Sequence, residues 1–258
     1  MKKYSIGKCE LKLGDFKKTL SDVRNVRLIV TSPPYNIGSN GDRVDGQRKD
    51  GKYDPKSFSG IKSYADNLPE EEYQEQQQEF LLWALARLKK DGVIAYVHKN
   101  RHKNKQLLTP YEWILPLVKE GKLKIYEEIV WDRGSTHNHD KNYLYPETER
   151  IYILCRPEAK PFFKNYDPNK KLKGMSDVWR INRANNSFHD AAFPPSLVER
   201  LIQCYSKPRE LVMDPYSGSG TTFIIAHQTK RRFIGSELSP KHFKNACSRI
   251  DDILNENL

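Results

Sequence analysis

Apolar positions along this chain of 258 residues fall into two patterns. Short apolar runs bounded by polar or turn residues predict strands at Val26–Val30, Val93–Val97, Lys124–Trp131, Glu149–Cys155, Glu210–Met213 and Arg232–Glu237. Between them the spacing becomes helical. Tyr73, Phe80, Leu81, Ala84, Leu85 and Leu88 recur on one face of a helix over Glu70–Leu88, with Asp91-Gly92 as its stop. Tyr111–Lys119 reads as helical despite Pro116. Pro194–Tyr205 is an amphipathic helix with proline near its start, where proline is tolerated. A further helix follows Gly220, and the tail from Pro240 is a polar helix. Strands alternating with helices predict an α/β domain with a largely parallel sheet.

Three stretches break the pattern. Residues 36–68 are rich in Gly, Asp, Lys and Ser and are too long for an ordinary connection, which marks a functional or mobile loop. Lys99–Lys105 reads as a basic loop. Residues 156–183 combine basic residues, aromatics and prolines and read as an irregular insertion.

No apolar run approaches the length needed to cross a bilayer, and the N-terminus lacks the apolar stretch of a signal peptide. Cys9, Cys155, Cys204 and Cys247 lie far apart with no CxxC pair, which argues against a zinc site or a disulfide framework and for a reducing cytoplasm. Charge changes the picture more. Lys and Arg number 44 against 33 Asp and Glu, a net +11, which favours a polyanionic partner, nucleic acid above all.

Two motifs carry candidate chemistry. The first is Asp214-Pro215-Tyr216-Ser217-Gly218-Ser219-Gly220-Thr221-Thr222, a strand running through a glycine turn into a helix. Glycines there permit a tight turn and a close ligand approach, and the helix start adds unpaired N–H groups. The next strand ends at Glu237, where a carboxylate can grip ribose hydroxyls. The turn lacks a P-loop lysine, which disfavours a triphosphate; together with Glu237 it points to an adenosine-containing cofactor, the alternative being a plain strand–helix turn. The second motif is Thr31-Ser32-Pro33-Pro34-Tyr35 after the first buried strand. Consecutive prolines fix φ and present carbonyls without N–H groups. With the Ser32 hydroxyl and the Tyr35 ring they form a cleft for a planar ring bearing an exocyclic amine.

Together these motifs resemble the DNA amino-methyltransferases, which move a methyl group from S-adenosylmethionine to the exocyclic amine of cytosine or adenine. The catalytic loop precedes the cofactor loop, and Phe193-Pro194-Pro195 and the helix after it lie just before the latter. That order is similar to the β group of these enzymes, whose chains are circularly permuted. The resemblance implies a Rossmann-like S-adenosylmethionine-dependent methyltransferase fold. Residues 1–155 would be the catalytic part, 156–187 a small target-recognition insertion, and 188–258 the cofactor-binding part of the same domain. It assigns catalysis to Ser32, Pro33, Pro34 and Tyr35. It assigns cofactor binding to Asp15, Phe16, Phe193, Pro194, Asp214, Tyr216, Ser217, Gly218, Gly220, Thr221, Thr222 and Glu237. Asp15 also reads as a plain turn residue, and Phe193-Pro194 as a helix start with a staple residue.

The chemistry suits these residues. An aromatic amine is a poor nucleophile because its lone pair is delocalised. Acceptors at Ser32 and the Pro33 carbonyl would draw both N–H bonds out of conjugation, and no covalent enzyme intermediate is needed. The base must leave the duplex at a cost of a few kcal/mol. Stacking on Tyr35 returns roughly 1–3 kcal/mol. Ser32 at this position is typical of enzymes making N4-methylcytosine, whereas Asp or Asn there is commoner in N6-adenine enzymes. The resemblance therefore implies site-specific cytosine-N4 methylation of DNA in a restriction–modification system. N6-adenine methylation is the alternative within the class, and an inactive DNA-binding protein the alternative outside it.

The expected partners are double-stranded DNA and a restriction endonuclease acting on the same site without direct contact. No membrane partner is expected, and the oligomeric state is monomer or homodimer. Lys99, Arg101, Lys103, Lys105, Lys171, Lys173, Arg180 and Arg183 are the candidate DNA contacts, through phosphates or, for Arg180 and Arg183, guanine edges. His137, His139 and Asp140 read as a polar loop facing DNA rather than a metal site. Trp131 and Trp179 read as packing anchors.

Overall fold

The computed structural model describes residues 2–37, 67–134, 143–144, 146–164, 175–183 and 192–255. Its elements are β1 (Lys3–Ile6), β2 (Cys9–Leu13), α1 (Phe16–Thr19), β3 (Val26–Thr31), α2 (Glu70–Leu85), β4 (Leu88–His98), β5 (Arg101–Lys103), β6 (Gln106–Leu108), α3 (Tyr111–Lys119), β7 (Lys124–Asp132), β8 (Thr148–Cys155), β9 (Val178–Arg180), α4 (Pro195–Tyr205), β10 (Leu211–Asp214), α5 (Thr221–Gln228), β11 (Arg232–Glu237) and α6 (Pro240–Asn255).

One nine-stranded sheet runs β1-β2-β11-β10-β3-β4-β8-β7-β9. From β2 to β4 the five neighbours β2, β11, β10, β3 and β4 are mutually parallel. The flanks differ: β1 pairs antiparallel with β2, and β8 pairs antiparallel with both β4 and β7. β7 and β9 also pair in parallel, so the sheet is largely parallel as expected, with antiparallel pairs confined to its flanks.

Alternation along each central strand builds two cores. Leu28, Val30, Val93, Ala95 and Val97 face the helices α4, α5 and α6, where Leu197, Phe223 and Phe243 meet them. Ile29, Ile94 and Tyr96 face α2 and α3, against Phe80, Trp113 and Leu117. A strand covered on both faces must be apolar at successive positions, which is why these segments read as continuous runs. Trp131 and Trp179 are buried anchors as expected. Their indole N–H groups donate to the carbonyls of Ile181 and Ser176 at 2.7 and 3.0 Å.

Two local expectations are corrected. Asp91-Gly92 does not stop a helix. α2 ends at Leu85, and Asp91-Gly92 lies inside β4. The β3–β4 register shifts there, between Val26 and Leu28. A Cβ on Gly92 would stand 2.6 Å from the Val26 carbonyl oxygen, so only glycine allows the two backbones to meet. Lys99–Lys105 is not simply a loop either. It leads into the β5–β6 hairpin, turned by Asn104 and Lys105 at φ 52° and 63°, the left-handed geometry that matches strand twist.

At the edge where the parallel strands begin, Glu210 ties three of them together. It accepts from Arg27 Nε at 2.9 and 3.0 Å, from Lys89 Nζ at 2.8 Å and from the Lys207 amide at 2.8 Å. Burial works against its charge, but Lys89, Lys207 and Arg27 outweigh burial and hold the carboxyl below its ordinary value of 4.5. A lowered carboxyl contributes stability above the unfolded pKa and loses it as pH falls through the folded one. Glu210→Gln is therefore expected to cost about 1–3 kcal/mol in urea denaturation at neutral pH. The gap from the parent should close progressively as pH falls below about 4.5.

Candidate active site

Five parallel neighbours put five strand ends on one edge of the sheet, the place where open α/β sheets bind ligands. β2 delivers Gly14 and Asp15 there, β11 Glu237, β10 Asp214, β3 Ser32 and β4 His98. Because β8 runs the other way, its start brings Glu149 to the same edge, and the end of β7 brings Arg133.

The glycine turn is held from several sides. Thr222 Oγ1 donates to Asp214 Oδ2 at 2.7 Å, and the Tyr216 amide to Oδ1 at 3.1 Å. Burial pushes the Asp214 carboxyl up to about 7, against those two donors and helped by the charge of Glu237. Glu237 itself is 1% exposed. Its oxygens accept the amides of Gly218 at 2.9 Å and Ser239 at 2.8 Å. Ribose hydroxyls gripping this carboxylate would share it with those two amides. Gly218 and Gly220 have φ of 50° and 76°, and the start of α5 follows at once. Thr221 and Thr222 are buried in its first turn. The Gly14 amide donates to the Glu237 carbonyl at 2.9 Å, and the Phe16 ring lies 5.1 Å from that of Tyr216. Asp15, Phe16, Tyr216, Ser217, Gly218, Gly220 and Glu237 are therefore brought together. Asp15 caps α1, accepting from the Lys17 amide at 2.7 Å, as its turn reading expects. Phe193 lies 6.4 Å from Trp131, and Pro194 precedes α4 as its cap. The glycine turn, the helix start and the Phe16 and Tyr216 rings fit an adenosine-bearing group.

Sequence reasoning passed over Gly235. A Cβ there would stand 2.3 Å from Ser217 Oγ and 2.6 Å from the Phe233 ring. The turn after β10 folds back over β11, where the Ser217 amide donates to the Ser236 carbonyl at 2.9 Å, and this position must be bare. A glycine inside a strand pattern was the available signal.

Ser32, Pro33, Pro34 and Tyr35 follow β3, adjacent to β10. Ser32 Oγ donates to Tyr35 Oη at 2.7 Å, Tyr35 Oη donates to Glu149 Oε2 at 3.0 Å, and Arg133 Nη1 donates to Glu149 Oε1 at 2.8 Å. Burial and the nearby Glu149 charge push the Tyr35 phenol well above its ordinary value. Its ring lies 4.5 Å from the His98 ring. Behind the loop, the Tyr73 hydroxyl stands 2.9 Å from the Pro34 carbonyl and 2.7 Å from His98 Nε2. His98 Nδ1 is 2.7 Å from the Lys99 carbonyl, which only accepts, so Nδ1 carries a proton. Burial first, then Arg101 and Lys99, lower His98 to about 3 despite the hydrogen bond to Lys99, so the ring is neutral. One Tyr73 proton thus serves Nε2 and Pro34 in turn. Tyr73, His98, Glu149 and Arg133 escaped sequence reasoning because each reads locally as a core or surface residue.

The expected DNA contacts divide. Arg101 is corrected: it is 6% exposed and forms a two-pronged pair with Glu70 at 2.7 and 3.1 Å. It also reaches the Asn36 carbonyl at 3.4 Å, so it joins α2 to the end of the Ser32–Tyr35 loop instead of facing a phosphate. Lys99 sits with Nζ 5.6 Å over the Tyr35 ring. Lys103 is half-buried and pairs with Glu70 at 3.6 Å. Lys105, Arg180 and Arg183 are exposed. Lys171, Lys173, His137, His139 and Asp140 lie outside the described residues, as does most of the 36–68 loop. The ends of that loop are pinned together, with Asn36 and Leu68 exchanging two hydrogen bonds of 3.0 and 2.7 Å. Among the described residues no helix is long and apolar enough to cross a membrane.

A family profile described as DNA methylase matches residues 26–248. The type II methyltransferase M2.DpnII of Streptococcus pneumoniae is 28% identical over 260 residues, covering 96% of this chain and 91% of its own. Among solved structures, PvuII DNA methyltransferase (cytosine-N4-specific) superposes with a TM-score of 0.72 at 20% identity, over 98% of this chain and 93% of that one. The M1.HpyAVI–SAM complex gives 0.59 at 16% identity, over 93% and 99%. These likenesses show that the fold is the methyltransferase fold.

Gly235→Ala is expected to displace the Ser217 turn. Calorimetric titration with S-adenosylmethionine should show affinity falling at least about tenfold, the equivalent of about 1.4 kcal/mol, in a protein that still melts cooperatively.

Proposed function

Because the chain belongs to the DNA methylase family, we propose that it transfers the methyl group of S-adenosylmethionine to the exocyclic N4 of cytosine in double-stranded DNA. The observation that carries this reading is the adjacency of β3 and β10. It sets Ser32–Tyr35 beside the Tyr216–Gly220 turn, although the two segments lie far apart in the chain.

Gly218, Gly220, Glu237, Asp15, Phe16 and Tyr216 would hold the adenosine part, with Phe193 and Pro194 beside the methionine part. When bound, S-adenosylmethionine supplies an electrophilic methyl group. The chain's own residues do the rest. Ser32 and the Pro33 carbonyl accept from the amine, Tyr35 offers a face to the extruded base, and the carboxyl-end edge of the sheet orients both reactants. Such positioning accounts for several kcal/mol of a barrier. Ser32 favours cytosine because Ser at this position is typical of the enzymes that make N4-methylcytosine. The cytosine-N4-specific fold neighbour points the same way. Lys105, Arg180 and Arg183 would meet the backbone or groove, with 156–187 as the recognition region. The relatives' type II names support a role in protecting DNA from a restriction endonuclease that acts on the same site without touching this protein.

Incubating the protein with labelled S-adenosylmethionine and mixed-sequence duplex DNA, then measuring nucleoside masses, tests this. N4-methylcytosine is the expected product. N6-methyladenine alone would replace the base while leaving DNA methylation standing. No labelled nucleoside would remove the reading altogether.

A further inference from the structure

The hydrogen bonds at the catalytic loop fix the direction of every proton in them. Glu149 is paired with Arg133 at 2.8 Å, and the two side chains are only 9% and 10% exposed. A carboxylate only accepts, so the Tyr35 hydroxyl at 3.0 Å must donate to it. A phenol has one proton. Once that is committed, Tyr35 Oη faces Ser32 Oγ at 2.7 Å as an acceptor, and the one proton of Ser32 is committed in turn. An unconstrained serine hydroxyl donates or accepts as its neighbour requires. Here it presents only lone pairs to a substrate. A donating Ser32 would bond the ring nitrogen beside the amine and leave the amine unactivated.

Resting on the methyl-transfer reading above, we propose that Glu149, held by Arg133, is a positioning residue that makes Ser32 a pure acceptor, and that Ser32 and Tyr35 pass the amine's surplus proton to it. The balance is simple. As the exocyclic nitrogen forms its N–C bond, the donor's S–C bond breaks and its electron pair stays on sulfur. The amine N–H proton moves to Ser32 Oγ, the Ser32 proton moves to Tyr35 Oη, and the Tyr35 proton moves to Glu149 Oε2. The sulfonium charge and the carboxylate charge disappear together. No group beyond the two substrates is needed, and Glu149 touches neither of them.

Two substitutions probe the chain. Tyr35→Phe keeps the stacking ring and removes the middle oxygen. In Glu149→Gln, Arg133 retains the amide oxygen, so the amide NH2 faces Tyr35 and reverses every donor up to Ser32. Each variant is expected to bind S-adenosylmethionine and duplex DNA as the parent does. Each should lower the single-turnover methylation rate about 10²-fold, the scale of general acid–base catalysis. The double variant should fall no further, because both changes cut one chain. The parent's solvent deuterium isotope effect on that step should vanish in both. In the protein without either substrate, urea denaturation of the same four proteins should show Tyr35 and Glu149 coupled. The proposal falls if Tyr35→Phe methylates at the parent's rate, if the two losses multiply, or if the urea cycle shows no coupling. A parent that produces no methylated nucleoside fails at an earlier and separate step, the functional reading itself.

Discussion

The parallel run β2-β11-β10-β3-β4 is the constraint on which the rest of the molecule depends. Parallel pairing puts every strand's carboxyl end on the same edge, so groups far apart in sequence converge without any loop having to reach. It also demands cover on both faces. α4, α5 and α6 supply one layer, and α2 and α3 the other. With both faces dry, the polar ends of the strands gather at the rims, where Glu210 binds one edge together and the Ser32–Tyr35 loop and the glycine turn share the other. Stability and chemistry are thus separated by the length of a strand.

Much of this was legible in the residues. Tyr111–Lys119 and Arg232–Glu237 form where the pattern places them, because strong periodicity or a short apolar run leaves few alternatives. The glycine turn and the Ser32–Tyr35 loop were readable because their residue types are rare in combination and serve local backbone geometry. What escaped was decided by tertiary contact. Gly92 looked like a stop signal and proved to be the point where β4 crosses close to β3. Arg101 looked like one of several exposed cations. Only the fold reveals that Glu70 faces it and that burial removes it from solvent. Glu149 is one acid among many in the sequence. Its importance comes from antiparallel β8, which starts beside the end of β4, and no local pattern encodes that pairing.

The site concentrates polar groups that apolar cores elsewhere exclude. Asp214, Glu237, His98 and Glu149 are all buried, and each is held by donors or acceptors of defined direction. Buried polar networks of this kind stabilise only when every member is satisfied. The hydroxyls of Ser32, Tyr35, Thr222, Ser217 and Ser236 supply the links. A hydroxyl both gives and takes, so it joins acceptor-only carboxylates and carbonyls into continuous chains.

The sheet order also governs how the molecule comes into being. β2 and β3 are separated in the sheet by β11 and β10, which follow β4 in the chain by more than a hundred residues. A ribosome adding about 5–20 residues per second exposes β2, β3 and β4 well before their central partners exist. During that interval the facing edges of β2 and β3 present unpaired amides and carbonyls beside apolar side chains, a template for pairing with other chains. The nascent protein therefore carries a gap in the middle of its sheet until β10 and β11 arrive to close it like a keystone.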